Sequence, residues 1–115
     1  LHEDSMTPGY YLYQKGTHPE DEIVGDEILK AIKNIMPINL NDEIDGCSAQ
    51  GGIIIQQRNW SAMDWWPMAI YALSKGTRRT LTLETATQFA MQTRVEAHLK
   101  AIDTALSFYT EKFKN

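Results

Sequence analysis

The sequence has a single cysteine, Cys47, in 115 residues. No intrachain disulfide can form, so the fold must rest on its core. This cysteine usage fits a reducing compartment, which we read as the cytoplasm. Long apolar runs are also missing. Nothing approaches the roughly 18–20 residues that cross a bilayer, and no leader pattern is visible. Basic residues are outnumbered: 11 Lys and Arg against 15 Asp and Glu give a net charge of -4. Broad binding to nucleic acid or to an anionic membrane needs the opposite balance, so neither is expected as a partner. The one adjacent basic pair is Arg78 and Arg79. Lys112 and Lys114 sit where cations suit the negative end of a helix dipole.

What remains is ordinary globular material, 43% hydrophobic and 23% charged, which argues against disorder. Residues 1–6 read as a tail, because LHEDS precedes Met6, and residues 7–115 as one α+β domain.

Hydrophobic spacing sets the expected elements. The aromatic run from Tyr10 to Tyr13 suits a short strand over 10–14. Residues 19–36 predict a first helix. Pro19 stands at its start, Glu20, Asp21 and Glu22 lie on the positive dipole end, and Ile28, Leu29, Ile32, Ile35 and Met36 recur at helical spacing. Gly25 weakens that helix and Pro37 stops it. Residues 37–51 read as a polar connection. Ile53, Ile54 and Ile55 then give the best strand signal, over 52–57. A second helix is expected over 64–75, capped by Ser61 or Asp64 and stopped by Gly76.

Residues 77–82 read as an extended link, with Thr82 capping a third helix over 83–113. Along it Met91, Val95, Leu99, Ile102, Leu106, Tyr109 and Phe113 step by three or four. Ala90, Ala97, Ala101 and Ala105 flank that stripe and suggest close packing on another helix. About 31 residues at about 1.5 Å each reach about 46 Å, longer than the roughly 35 Å diameter of a compact chain this size. The helix therefore either kinks near Thr93 and Arg94 or pairs with a second copy. The fold class expected is α+β and mainly helical: about three helices, a small two- or three-stranded sheet and a long C-terminal helix.

Candidate chemistry is sparse. Asn41, Glu43, Asp45 and Gly46 resemble a calcium loop, but Gly52 stands where that loop needs a bidentate Glu. Gly46, Gly51 and Gly52 lack the Lys and Ser or Thr that complete a phosphate loop, so they read as turn residues. Cys47 has no histidine at a recognisable spacing to make it a nucleophile. His18 with Glu20, Asp21, Glu22 and Asp26 does not converge as a metal site would, and dipole stabilisation explains those acids. Asn59-Trp60-Ser61 matches a glycosylation acceptor, a pattern that arises often by chance. Neither a catalytic residue, a metal nor a cofactor is expected.

Two places stand out. Asp64 lies among Trp60, Met63, Trp65, Trp66, Pro67 and Met68, where a carboxylate would have a raised pKa. Together with Tyr71 and Tyr11, residues Trp60, Asp64, Trp65 and Trp66 form the expected small-molecule pocket. The second place is the C-terminal stripe. Met91, Val95, Leu99, Ile102, Leu106 and Tyr109 are the expected interface of a homodimer. His98, beside that stripe, reads as a partly buried or interface histidine.

Three functions follow in order of preference. The first is a non-enzymatic interaction protein, such as an adaptor, inhibitor or immunity-type protein, whose acidic surface meets a protein partner. The second is a small-molecule binding protein. The third is a small enzyme using Asp64 or His98 as acid or base.

Overall fold

The computed structural model describes residues 8–16, 22–55 and 75–112. Among these, seven elements follow one another: β1 (Tyr11–Gly16), α1 (Val24–Ile32), β2 (Glu43–Ile44), β3 (Cys47–Gln50), β4 (Ile53–Ile54), β5 (Arg79–Glu84) and α2 (Met91–Lys112). The strands form one five-stranded sheet in the order β2-β3-β4-β1-β5.

The sheet is mixed. β1 runs parallel to β4, with Leu12 opposite Ile53, and antiparallel to β5, from Tyr11 opposite Glu84 to Gly16 opposite Arg79. β2, β3 and β4 are joined by tight turns. Asp45 and Gly46 turn β2 into β3 with φ of 52° and 74°. Positive φ at both central residues is what a two-residue hairpin requires, and Asp-Gly supplies it cheaply. Gly51 and Gly52 do the same between β3 and β4, with φ of 61° and 89°.

Alternation along β1 assigns the two faces of the sheet. Tyr10 and Leu12 point to the helix side and join a core with Val24, Ile28, Leu29, Ile32 and Met36 of α1 and its following turn, and Ala97, Ala101 and Ala105 of α2. Tyr11 points the other way and is buried with Ile44, Cys47, Ala49 and Ile54, with Tyr13 packed beside them. Chain crossing ties the first strand in place: the Tyr10 N–H donates to the Pro37 carbonyl at 2.8 Å, and the Asn39 N–H donates to the Tyr10 carbonyl at 2.9 Å.

α1 begins late, at Val24 rather than at residue 19, and its seating explains Gly25. The Gly25 N–H donates to Oε1 of Gln14 on β1 at 2.8 Å. A Cβ there would meet Gln14 Oε1 and Ile53 Cδ1, each at 3.0 Å, so glycine permits the helix start to lie on the sheet. Of the inward residues foreseen from spacing, Ile28, Leu29, Ile32 and Met36 are buried and Ile35 is half-buried.

The expectation of a mainly helical chain with a two- or three-stranded sheet is overturned. Two helices and five strands are present among the described residues. The polar connection 37–51 contains β2 and β3. Their few apolar side chains, Ile44, Cys47 and Ala49, give too short an alternation to stand out from a loop. The link at 77–82 is the core of β5, and Thr82 does not cap a helix but lies opposite Tyr13. The last helix therefore starts at Met91 and has 22 residues, which at about 1.5 Å each gives about 33 Å. That fits within the protein's 40 Å long axis, so length alone does not demand a second copy. The helix expected over 64–75 lies outside the described residues.

Candidate functional site

α2 wears its side chains in an unusual order. A period of 3.6 places Ala97, Ala101 and Ala105 on one face and Val95, Leu99, Ile102 and Leu106 on another. Ala97 and Ala101 are fully buried and Ala105 nearly so. They pack in one cluster with Val24, Ile28 and Ile32 of α1. The large aliphatic side chains are left outside: Met91 is 63% exposed, Val95 46%, Leu99 61%, Ile102 48% and Leu106 65%. An exposed leucine by itself needs no explanation. Five in one line along a helix form a continuous strip of roughly 400 Å², the size of the largest apolar patch on a typical monomer, which is often functional.

The strip has a defined side. At its C-terminal end Tyr109 lies under the Arg79 guanidinium of β5, 4.4 Å from the ring centroid, and meets Phe108 edge-on at 5.3 Å. This cation–π contact fastens α2 to β5. Along the opposite flank Asp103, Thr104, Ser107 and Phe108 line a shallow groove with Glu27 of α1. The strip thus lies on the flank of α2 that turns toward β5, away from α1.

His98 borders the strip. Its Nδ1 is 2.9 Å from the Tyr10 hydroxyl, and the two rings meet edge-to-face at 5.3 Å. Tyr10 is fully buried. Burial and the nearby Glu84 carboxylate push its pKa well above the usual tyrosine value, so the O–H stays protonated. The protonated hydroxyl and Nδ1 share this hydrogen bond, with the donor set by the imidazole tautomer. Burial, and then the Arg94 charge, lower the His98 pKa below 6.5. A histidine whose folded pKa lies below its unfolded value contributes stability fully above the unfolded value and loses it on acidification. Stability of this chain is therefore expected to fall as pH drops below 6.5 toward the folded pKa. The Tyr10→Phe variant removes the hydroxyl bonded to Nδ1. It is expected to cost about 1 kcal/mol near neutral pH and to change the His98 titration, read by urea denaturation and by an NMR titration of the ring. A His98 that titrates identically in both proteins would contradict this assignment.

The remaining sequence-derived sites divide clearly. Trp60, Asp64, Trp65, Trp66 and Tyr71 lie outside the described residues, as does His18. Tyr11, the described member of the expected pocket, is fully buried in the core of the second sheet face. Of the expected interface, Met91, Val95, Leu99, Ile102 and Leu106 come together on one exposed line, while Tyr109 is half-buried. Cys47 is buried. The acidic turn holds a hydrogen bond from the Tyr13 hydroxyl to Oδ2 of Asp45 at 3.0 Å. Among the described residues no group of three or more His, Cys, Asp and Glu side chains is placed to hold a metal ion. None of the described helices is long and apolar enough to cross a membrane. Sequence reasoning missed the Tyr10–His98 pair, whose 88-residue separation leaves no local signal.

No family model matches the chain, and no curated protein matches it. Solved structures do resemble it. One, from Shewanella amazonensis SB2B and described as a putative metallopeptidase, aligns over 90% of this chain with a TM-score of 0.70 and 20% identity. Proteins of the same description from Shewanella denitrificans OS217 and Shewanella baltica OS155 align with TM-scores of 0.68 and 0.69 at 18% and 21% identity, over 90% and 91% of this chain. The likeness is one of fold. This chain spans 36% of the first two of those proteins and 38% of the third.

Proposed function

We propose that this chain is a non-enzymatic protein-interaction module of the adaptor, inhibitor or immunity type, and that α2 is its docking face. The observation that carries the reading is the line Met91, Val95, Leu99, Ile102 and Leu106, exposed while the alanines of the same helix fill the core. Folding alone gives no reason for large aliphatic side chains there, and water disfavours them. The acidic balance, -4 overall, supports a protein partner over a nucleic acid, and the lone buried thiol supports a cytoplasmic setting.

A peptidase reading has the neighbours' description behind it, but among the described residues no group of three or more His, Cys, Asp and Glu side chains is placed to hold a metal ion. The fold is shared at 18–21% identity over about a third of those proteins, and function belongs to sites, not folds.

The test uses Leu99→Glu with Ile102→Glu, both at exposed positions. Stability of the isolated fold is expected to change by no more than about 0.5 kcal/mol. Bait carrying the double variant should lose, in source cells, at least one near-stoichiometric protein that the unaltered bait retains, a second copy of the chain included. Identical sets of captured proteins on the two baits would overturn the reading.

A further inference from the structure

We propose that the docking face is shared between α2 and the edge strand β5, and that its occupant is a second copy of this chain. The copy would be related by a two-fold axis that joins the two sheets into one. The proposal rests on the reading of α2 as a docking face and names its partner.

Three features of the chain point to self-pairing. The first is position. Among the described residues β5 ends the order β2-β3-β4-β1-β5, and the apolar strip lies on the flank of α2 turned toward it, as the Arg79–Tyr109 contact indicates. Strand edge and helix strip therefore form one continuous surface. An edge strand pairs readily with another chain.

The second is the sequence of the strand. Leu81 and Leu83 pack on the helix-side core, so Thr80, Thr82 and Glu84 point to the other face. A two-fold perpendicular to the sheet must pair residues of the same face. With the axis at Leu81, Thr80 of one copy lies opposite Thr82 of the other, and Arg78 opposite Glu84. Threonine pairs are favourable across antiparallel strands. The same axis keeps both α2 helices on one side of the joined sheet.

The third is the spacing and size of the strip. Val95, Leu99, Ile102, Leu106 and Tyr109 step by four, three, four and three, the period at which two helices pack along a common seam. The strip of roughly 400 Å² counted from both copies, with a six-residue strand pairing added, gives roughly 1,200 Å², the lower bound for a specific interface. A self-complementary patch is also what a two-fold interface requires.

Sedimentation of the full chain, combined with cysteine crosslinking, tests this. The expected species has twice the 13.1 kDa chain mass, and Leu99→Glu raises its dissociation constant at least tenfold. Mixing Thr80→Cys chains with Thr82→Cys chains under mild oxidation should give a disulfide-linked dimer, while neither variant alone does. Cys47 is buried, and unaltered chain serves as its control. If either cysteine variant fails to fold by circular dichroism, Arg78→Cys mixed with Glu84→Cys reports the same register. A chain that sediments as a monomer at the highest concentrations overturns the proposal; the capture experiment above then decides separately whether α2 docks another protein. A dimer indifferent to Leu99→Glu, or one that yields no mixed disulfide, overturns it as well.

Discussion

Replacing Ile28 with Ala is expected to lower the unfolding free energy by about 2–5 kcal/mol, the cost of a deleted core side chain and the cavity it leaves. Ile28 is fully buried, and it shares one cluster with Leu12 of β1, Val24 and Ile32 of α1 and Ala101 of α2. α1 thus stands where sheet and second helix meet, and little around Ile28 can collapse into a void. Urea denaturation measures the loss as a lower midpoint at unchanged slope. Truncating the 61%-exposed Leu99 or the 65%-exposed Leu106 to Ala should move stability by no more than about 0.5 kcal/mol in the dissociated chain. If Ile28→Ala cost as little as those, α1 would not be seated on the sheet as described.

The reverse substitution on the facing helix should also be costly. Ala101→Leu adds three carbons at a fully buried position where α1 and α2 meet, and overpacking of this kind costs about 1–3 kcal/mol. A leucine at 101 is a better apolar residue by composition, and a good helix former, so only the close approach of the helices predicts a loss. Thermal denaturation of Ala101→Leu against the parent reads it directly. A variant as stable as the parent would mean that the alanines do not set the helix spacing.

These two substitutions also show what the sequence carried and what it hid. The inward face of α1 was legible, because Ile28, Leu29, Ile32 and Met36 recur at 3.6 spacing over a single face. The strand at β1 was legible in its aromatics, and β4 in Ile53 and Ile54. β2 and β3 were not, since a two-residue and a four-residue strand with three small or single apolar side chains offer too few periods to be told from a loop. β5 was legible in part. Arg79 to Thr82 read as an extended link, but Leu83 and Glu84 run without glycine or proline toward α2, so a helical reading absorbed them. That error lengthened the last helix and produced a demand for an overhang that the structure does not have.

The interface stripe presents a subtler case. The apolar line on α2 and its alanine flank were both visible in the sequence, and hydrophobicity alone would bury the larger residues. The fold does the opposite. The alanines pack against Ile28 and Ile32 of α1 in the core, while the larger side chains of the same helix stay outside. Five of the six residues foreseen as an interface share one exposed face, and the sixth, Tyr109, is half-buried; that placement follows from the alanine face of the helix and not from its length. The expected aromatic pocket, by contrast, offers one described member, Tyr11, and that ring is core.

Association and folding are linked when the associated state is folded, so melting temperature as a function of chain concentration tests the central claim most directly. The unaltered chain should melt at a higher temperature as its concentration is raised a hundredfold, while Leu99→Glu needs a concentration at least tenfold higher for the same rise. A melting temperature independent of concentration for the unaltered chain would contradict the account.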